Sequence, residues 1–209
     1  MIVTGIEEVS KSRSKICIDG EFAFVLYKGE LRHFHLREGE EISTADHEQI
    51  MKEILPKRAK LRAMNLLLKK NYTNAQLSAK LKEGGYPEEI VQDALDYVGS
   101  FHYVDDLRYA IDYIICHEKN RSRARIEQDL RAKGIDKEVM AQAFRQWEEE
   151  GGGQDEEQMI LALFKKRGFD PENATPAQRQ REYGFLMRKG YSPERVRSAV
   201  FGHFTEGFD

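Results

Sequence analysis

The chain has 209 residues, of which 40% are hydrophobic and 33% are charged, and 33 Lys and Arg against 36 Asp and Glu give it a formal net charge of −3. A negative balance argues against a general DNA-binding protein, which is more often basic overall. Only two cysteines occur, and no apolar run approaches the roughly 18 residues of a membrane span. We therefore expect a soluble cytoplasmic protein with neither disulfides nor a membrane partner. The high charge content favours an elongated array of small helical units over one compact globule.

Residues 1–56 predict a small β-rich domain with a linking helix. The stretch KICIDGEFAFVL holds two apolar, β-favouring arms around Asp19-Gly20, and Asp-Gly supplies the positive φ angles of a two-residue hairpin turn. RHFHLREGEEI predicts another strand with a glycine turn, on which His33 and His35 would share a face. A further strand is predicted for the apolar residues Ile2, Val3 and Ile6.

The pattern then becomes helical, and Pro56 predicts a boundary between two helices. The helix after this proline has two apolar stripes, which predicts packing against two neighbours, its own unit and the N-terminal sheet. The stripes consist of Ala59, Ala63, Leu66 and Leu67 on one side and of Leu61, Met64 and Leu68 on the other.

The helical part repeats one pattern three times, in LKEGGYPEEIVQDAL, LRAKGIDKEVMAQAF and LMRKGYSPERVRSAV. Each segment begins with a leucine, and a glycine follows four residues later: Gly85, Gly134 and Gly190. A glycine accepts the left-handed conformation that ends a helix, and the apolar residue after it packs back on that helix. With one more helix before each segment, the pattern predicts three-helix units at 57–104, 105–150 and 155–209. The predicted fold class is mainly α, with tandem three-helix repeats in an elongated, curved array after a small antiparallel β domain.

Other local signals refine this prediction. Two of the glycine-ended helices open with capping boxes, Thr73 with Gln76 and Thr175 with Gln178. The segment EEEGGGQD predicts a mobile hinge between the second and third units, because it holds three successive glycines. Trp147 and Phe144 are predicted core residues of the second unit. The spacings between the repeats differ, so helical hairpins that merely look alike are the alternative.

Two motifs carry a resemblance to a known family. YVDDLRYA is similar to a Y-x-D-D-x-R-[FY]-A signature, and SRARIEQDLRAKGI is similar to a basic helix that ends in K-G-I. With these motifs the sequence resembles the RecX family, bacterial regulatory proteins that modulate the RecA recombinase. IDGEFAFVL and LREGEEI also resemble the N-terminal extension of longer members from Gram-positive bacteria. The chain departs from the family at NRSRAR, where many members carry glycine or proline before the arginines, and its third unit is the most divergent.

The resemblance implies a negative regulator that binds the groove of the RecA–DNA filament and inhibits its ATPase, strand exchange and coprotease activities. Single- and double-stranded DNA are further expected partners, and nothing in the sequence requires more than a monomer. The alternative is a DNA-binding helical-repeat protein that acts independently of RecA. We predict no enzyme, cofactor or metal, because there is no glycine-rich phosphate loop, no CxxC, and no third ligand to join the two histidines. Cys116 is predicted to be a buried, inert thiol.

The stretch NRSRARIEQDLRAKGI holds the predicted contact surface. At about 100° per residue, Ile126 and Leu130 form the buried side of a helix, and the opposite side presents Arg121, Arg125, Gln128 and Arg131. Arginine offers a fixed fork of donors to phosphate or carboxylate, although an ordinary solvated helix face is the alternative. The predicted residues for binding RecA or DNA are Arg121, Arg123, Arg125, Arg131 and Lys133, with a second cluster of Lys57, Arg58, Lys60 and Arg62.

The paired acids Asp105 and Asp106 are compatible with acid–base or metal chemistry, but they directly precede an apolar-periodic helix. Acids there cap free amides and suit the positive end of the helix dipole. We favour a structural role for the whole signature, which comprises Tyr103, Asp105, Asp106, Arg108, Tyr109 and Gly134.

Overall fold

The computed structural model describes residues 1–202 and divides the chain into two compact halves, Met1–Asp105 and Asp106–Asp209. Residues 203–209, the end of the third predicted unit, lie outside the described part. The N-terminal half contains β1 (Val3–Ser10), β2 (Arg13–Ile18), β3 (Glu21–Tyr27), α1 (Lys28–His33), α2 (Thr44–Gln49), a π-helical turn (Ile50–Ile54), α3 (Leu55–Leu67), α4 (Asn74–Glu83) and α5 (Glu88–Ser100). The C-terminal half contains α6 (Asp106–His117), α7 (Arg123–Ala132), α8 (Lys137–Glu149), α9 (Glu156–Arg167), α10 (Pro176–Arg188) and α11 (Pro193–Phe201). No described helix is both long and apolar enough to cross a membrane.

The three strands form an antiparallel sheet in the order β1-β2-β3. The predicted hairpin around Asp19-Gly20 is confirmed, because these residues have φ angles of 50° and 89° at a tight turn between β2 and β3. The strand predicted near the N-terminus is confirmed as β1.

The strand predicted for RHFHLREGEEI is wrong, since this segment continues α1 and then forms a loop, in which Glu41 alone makes an isolated antiparallel bridge, to Ile2. The helix begins here because the Glu30 carboxylate turns back and accepts a hydrogen bond from the Tyr27 backbone N–H at 2.7 Å. His33 is the last residue of α1 and His35 has a φ of 51°, so the two histidines do not share the face of a strand.

The predicted boundary at Pro56 is a change of helix type and not a loop. A π-helical turn connects α2 directly to α3, and Pro56 lies in the first turn of α3, where helices tolerate its missing N–H. The wider π-helical turn also changes which residues of the helix face the core. Ile50 and Leu55 are five residues apart and both fully buried, whereas a regular α-helix would point them about 140° apart.

The helix α3 buries only one of its two predicted apolar stripes. Ala59 and Ala63 are fully buried, as one stripe requires. In the other stripe Leu61 is 58% exposed and Leu68 is 84% exposed, so the prediction of a neighbour on that side is wrong.

The sheet and the first three-helix domain share one continuous core. Phe24 of β3 belongs to the same buried cluster as Leu77 and Leu81 of α4. Gly85 brings the end of α4 against β3: a Cβ at this position would lie 2.2 Å from Val25 Cγ2, and the Val25 backbone N–H donates to the Gly85 carbonyl at 3.3 Å. The sheet is thus packed against this domain by apolar contact at close range.

The repeated glycine turn is confirmed in all three places. Gly85, Gly134 and Gly190 have φ angles of 83°, 80° and 81°. The residue after each glycine donates its backbone N–H to the carbonyl of the leucine five residues earlier, which closes a Schellman cap. The predicted capping boxes at Thr73 and Thr175 are also present. The predicted tandem fold is therefore confirmed, with three-helix domains formed by α3–α5, α6–α8 and α9–α11.

The second and third three-helix domains have separate cores. The second core includes Ile114, Ile126, Leu130, Phe144 and Trp147, which confirms the predicted aromatic core residues. The third core includes Ile160, Phe164, Leu186, Tyr191, Val196 and Val200. These two domains must therefore be joined mainly by other contacts.

The segment EEEGGGQD is held by specific contacts on both sides of its glycines. The Gly152 N–H donates to the Trp147 carbonyl at 2.8 Å, and a Cβ at Gly152 would lie 2.3 Å from the indole ring. The side-chain amide of Gln154 donates to the carbonyls of Glu118 and Arg121 at 2.6 Å and 2.7 Å. The segment predicted as a mobile hinge thus ends α8 and ties the start of the third domain to the second.

Candidate partner-binding site

The basic helix α7 begins at a serine that has two roles. Ser122 is 1% exposed, and its hydroxyl accepts a hydrogen bond from the Arg125 N–H at 3.3 Å, as an N-cap does. The same hydroxyl donates to the backbone carbonyl of Lys189 at 2.7 Å. Ile126 and Leu130 are fully buried, which confirms the predicted inner side of the helix.

Two of the predicted outward arginines share one carboxylate. Arg121 pairs with Asp129 and also donates to the Tyr113 hydroxyl at 2.7 Å, while Arg125 lies 3.2 Å from the other oxygen of Asp129. The Asp129 side chain is only 15% exposed. The Arg121 side chain is therefore 37% exposed, with its guanidinium held between Asp129 and Tyr113. Asp129 pairs with both arginines, so it neutralises more charge than its position on the flank of the helix suggested.

The other cations of this stretch differ in their surroundings. Arg123 pairs with Glu127 at 3.2 Å and with Glu148, and its guanidinium lies 4.2 Å from the centre of the Phe144 ring. Lys133 Nζ lies 5.1 Å from the centre of the Tyr113 ring. Arg131 is exposed and forms no ion pair within the part of the chain that the structure describes.

A cleft of about 380 Å³ lies where α7 meets the third domain. Gly190, with φ of 81°, brings the third domain so close that a Cβ there would lie 2.9 Å from the Ser122 hydroxyl. The cleft is lined by Asn120, Arg121, Ser122, Arg125, Arg188, Lys189 and Tyr191. The sequence did not predict that Arg188 and Lys189 belong to this site. They are the two residues before Gly190, the glycine of the third repeat.

Two groups beside this cleft have shifted pKa values. Burial raises the pKa of Tyr113, against the opposing attraction of Arg121. Burial lowers the pKa of His117, and the positive charge of Arg121 adds to this effect. Both shifts have partial burial of the two side chains as their main cause.

The predicted contact residues of α3 fall into two groups. Lys57 and Arg62 are exposed, whereas Lys60 pairs with Asp93 at 2.9 Å. Arg58 is a structural residue: it donates to the Glu30 carboxylate at 2.6 Å and to the Val25 carbonyl at 2.8 Å.

Aromatic rings complete the surroundings of Arg58. Its guanidinium lies 4.6 Å and 5.5 Å from the ring centres of Tyr27 and Tyr86. Burial opposes its charge, but hydrogen bonding to Tyr86 and the attraction of Glu30 outweigh burial and raise the pKa of Arg58. This arginine therefore holds the sheet to the first domain.

All the family-signature residues except Gly134 lie just before α6 or in its first turn. Asp106 is the first residue of α6, at the positive end of the helix dipole. Tyr103 stacks on Phe101 with a centroid distance of 5.6 Å, and Tyr109 stacks on Tyr113. Cys116, near the end of α6, is exposed, so its predicted burial is wrong.

Comparison with known proteins agrees with this architecture. Family models described as the first, second and third three-helix domains of RecX match residues 59–97, 105–143 and 154–200. The regulatory protein RecX of Trichlorobacter lovleyi is 33% identical over 141 residues, which are 66% of this chain and 90% of that protein. The regulatory protein RecX of Clostridium acetobutylicum is 24% identical over 208 residues, 98% of this chain and 97% of that protein. A crystal structure of a regulatory protein RecX has a TM-score of 0.59 and 26% identity over 95% of this chain and 98% of that one. The chain belongs to the RecX family of regulatory proteins.

Proposed function

We propose that this chain is a negative regulator of the RecA recombinase that binds in the groove of the RecA–DNA filament and inhibits its ATPase, strand exchange and coprotease activities. The observation that carries the proposal is the match to all three RecX domain models in order along the chain. Several small domains in one chain offer separate surfaces to a filament of repeated subunits. Each surface then contributes a modest share of the contact.

We propose the exposed side of α7 as the first contact surface. Between residues 121 and 133 there are five cations against the carboxylates of Glu127 and Asp129, so the segment stays positive after both acids have paired. Arg131 contributes a fully available charge, and the Arg125 side chain is 47% exposed. A guanidinium binds the carboxylates of a protein groove or a DNA phosphate with the same two-pronged geometry.

In α3 we propose Lys57 and Arg62 as further contact residues, because both are exposed on the first domain. Lys60 is a weaker candidate because a partner would have to replace Asp93, which lies 2.9 Å away. Arg58 is a poor candidate, because a partner that drew it away would leave the largely buried carboxylate of Glu30 without its ion pair.

The test compares variants in a RecA ATPase assay. Reversing the charge of Arg121 would set a carboxylate against Asp129 and risk unfolding, so the sharper variant is Arg125→Gln combined with Arg131→Glu. We expect half-inhibition of the ATPase to require roughly tenfold more of this double variant, because charges at an interface govern association. The matched control is Arg145→Glu, an exposed position of α8 in the same domain, which should inhibit like the wild type.

Each result has a definite meaning for the proposal. An unchanged inhibition curve for a double variant with wild-type circular dichroism would contradict α7 as the contact surface. Absence of any inhibition by the wild-type chain would contradict the regulatory function itself.

A second candidate function is DNA binding without RecA, and the cationic cleft beside α7 favours it. Such a protein should bind bare DNA tightly, with an affinity that falls steeply as salt rises. A filter-binding salt titration on bare DNA, performed beside the RecA ATPase assay, separates the two functions.

A further inference from the structure

The cleft between the second and third three-helix domains has the composition of an anion site. Four of its seven lining residues are cationic, and each domain supplies two of them: Arg121 and Arg125 from the second, Arg188 and Lys189 from the third. The Asn120 amide, the Ser122 hydroxyl and Tyr191 complete the lining. Its volume of about 380 Å³ lies in the range of small-ligand clefts.

The charges of the cleft are only partly compensated. Asp129 is the carboxylate that pairs with Arg121 and Arg125. Arg188 and Lys189 form no ion pair within residues 1–202. Lys189 Nζ instead lies 5.2 Å from the centre of the Phe185 ring. Four cations thus face one carboxylate, and a dianion would neutralise most of the remaining positive charge.

The two walls of the cleft are held in place before any ligand binds. The Ser122 hydroxyl donates to the Lys189 carbonyl at 2.7 Å, directly beside the cationic side chains. On the other flank, the Gln154 amide binds the Arg121 carbonyl at 2.7 Å. Because these contacts fix the backbones that carry the cations, little ordering is left for the ligand to impose.

We propose that this cleft binds a phosphate group, with Arg188 and Lys189 as its main contacts and with Arg121 and Arg125 partly released from Asp129 toward the ligand. The inference rests on the proposed function for its biological meaning, in which the phosphate belongs to the nucleic-acid backbone of the RecA–DNA filament. Free inorganic phosphate has the same chemistry, so the experiment distinguishes the two sources.

The experiment follows backbone amide signals of the isotopically labelled full chain by NMR during titration with inorganic phosphate. Sodium chloride at matched ionic strength is the reference. We expect saturable shifts with phosphate, but not with chloride, at residues 120–122 and 189–191. Replacing both Arg188 and Lys189 by Gln should raise the apparent Kd roughly tenfold, because charge-assisted contacts to phosphate are lost. Asp129→Asn should lower it roughly threefold, because two guanidinium groups are released.

Two control variants separate a specific site from general positive charge. Arg181→Gln removes an exposed cation from the same helix as Arg188, and Arg145→Gln removes one from the second domain, yet neither residue lines the cleft. Both should bind phosphate like the wild type. Equal shifts with chloride and phosphate, or wild-type binding by the folded Arg188→Gln/Lys189→Gln variant, would overturn the proposal.

A short single-stranded oligonucleotide identifies the source of the phosphate. Shifts at the same amides, which inorganic phosphate reverses by competition, assign the cleft to backbone phosphate. Shifts with inorganic phosphate alone assign it to the free ion. These titrations contain no RecA, so their failure leaves the ATPase test of the regulatory function unaffected, and the reverse is equally true.

Discussion

The chain joins its domains in two chemically different ways. In the N-terminal half, the sheet and the first three-helix domain share one apolar core, and Gly85 is in contact with Val25. In the C-terminal half, the second and third domains keep separate cores, and polar contacts from Ser122 and Gln154 join them.

The same repeated glycine turn lies at both of these domain contacts. Gly85 and Gly190 occupy equivalent places in their repeats, with φ angles of 83° and 81°. One turn meets an apolar side chain and the other meets a hydroxyl and the first turn of a basic helix. The repeated local geometry therefore fixes where the backbones approach, while the facing residue decides whether the glycine meets an apolar or a polar group.

The largest effect should follow from Gly85→Ala in the apolar joint. The added methyl group would meet Val25 at 2.2 Å and would also strain a backbone with positive φ. We expect a loss of about 3 kcal/mol in the free energy of unfolding, measured by urea denaturation. Gly39→Ala is the control, since Gly39 has the same φ of 83° but open space around it. Equal losses in the two variants would show that contact with Val25 is unimportant.

A smaller effect is expected for Arg58→Lys, which keeps the charge but removes the planar fork. Lysine cannot donate at once to Glu30 and Val25 while lying between two tyrosine rings. We expect the N-terminal half to lose about 2 kcal/mol of stability, with faster amide hydrogen exchange in β3. Arg62→Lys, at an exposed position of the same helix, should change stability by less than about 0.5 kcal/mol.

In the polar joint, Ser122→Ala removes an N-cap and an interdomain hydrogen bond together. The expected loss is about 1 to 2 kcal/mol, and hydrogen exchange should accelerate at residues 189–191. Ser43→Ala removes an N-cap from α2 and serves as the control that lacks the interdomain bond. Unaltered exchange at residues 189–191 in Ser122→Ala would mean that this hydrogen bond does not hold the joint.

The smallest effect concerns pH. Burial, with help from Arg121, lowers the pKa of His117 in the folded chain. The unfolded state therefore binds the proton more readily, and stability is lost as pH falls from the ordinary histidine value of about 6.5 through the lower folded value. Thermal denaturation between pH 5 and 8 should show a smaller decrease on acidification for His117→Gln than for the wild type. Parallel profiles would exclude His117 as a contributor.

The features that sequence predicted well are those that a few neighbouring residues determine. The Asp19-Gly20 hairpin, the three glycine caps and the capping boxes each depend on backbone conformation within one or two turns. The incorrect strand at RHFHLREGEEI shows the limit of this reasoning. There, one capping contact from Glu30 favours a helix over the strand that the alternating pattern indicates.

The sequence predicts one part of the candidate site, the basic face of α7, but not the cleft beside it. The basic face of α7 is visible in the periodicity, but its cleft also needs Lys189, which lies 67 residues from Ser122. No local pattern indicates that these two segments meet. Charge periodicity likewise could not reveal that Asp129 would bind two arginines at once, because that depends on side-chain conformations on both sides of the carboxylate.

The single tryptophan lies at the point where the polar joint begins. Trp147 is 6% exposed, its indole N–H donates to Glu118 at 2.7 Å, and Gly152 lies against its ring. If the start of the third domain moved away, water would reach the indole. The fluorescence emission of Trp147 would then shift to longer wavelength. The fluorescence of this one tryptophan thus reports separation of the last two domains without any attached dye.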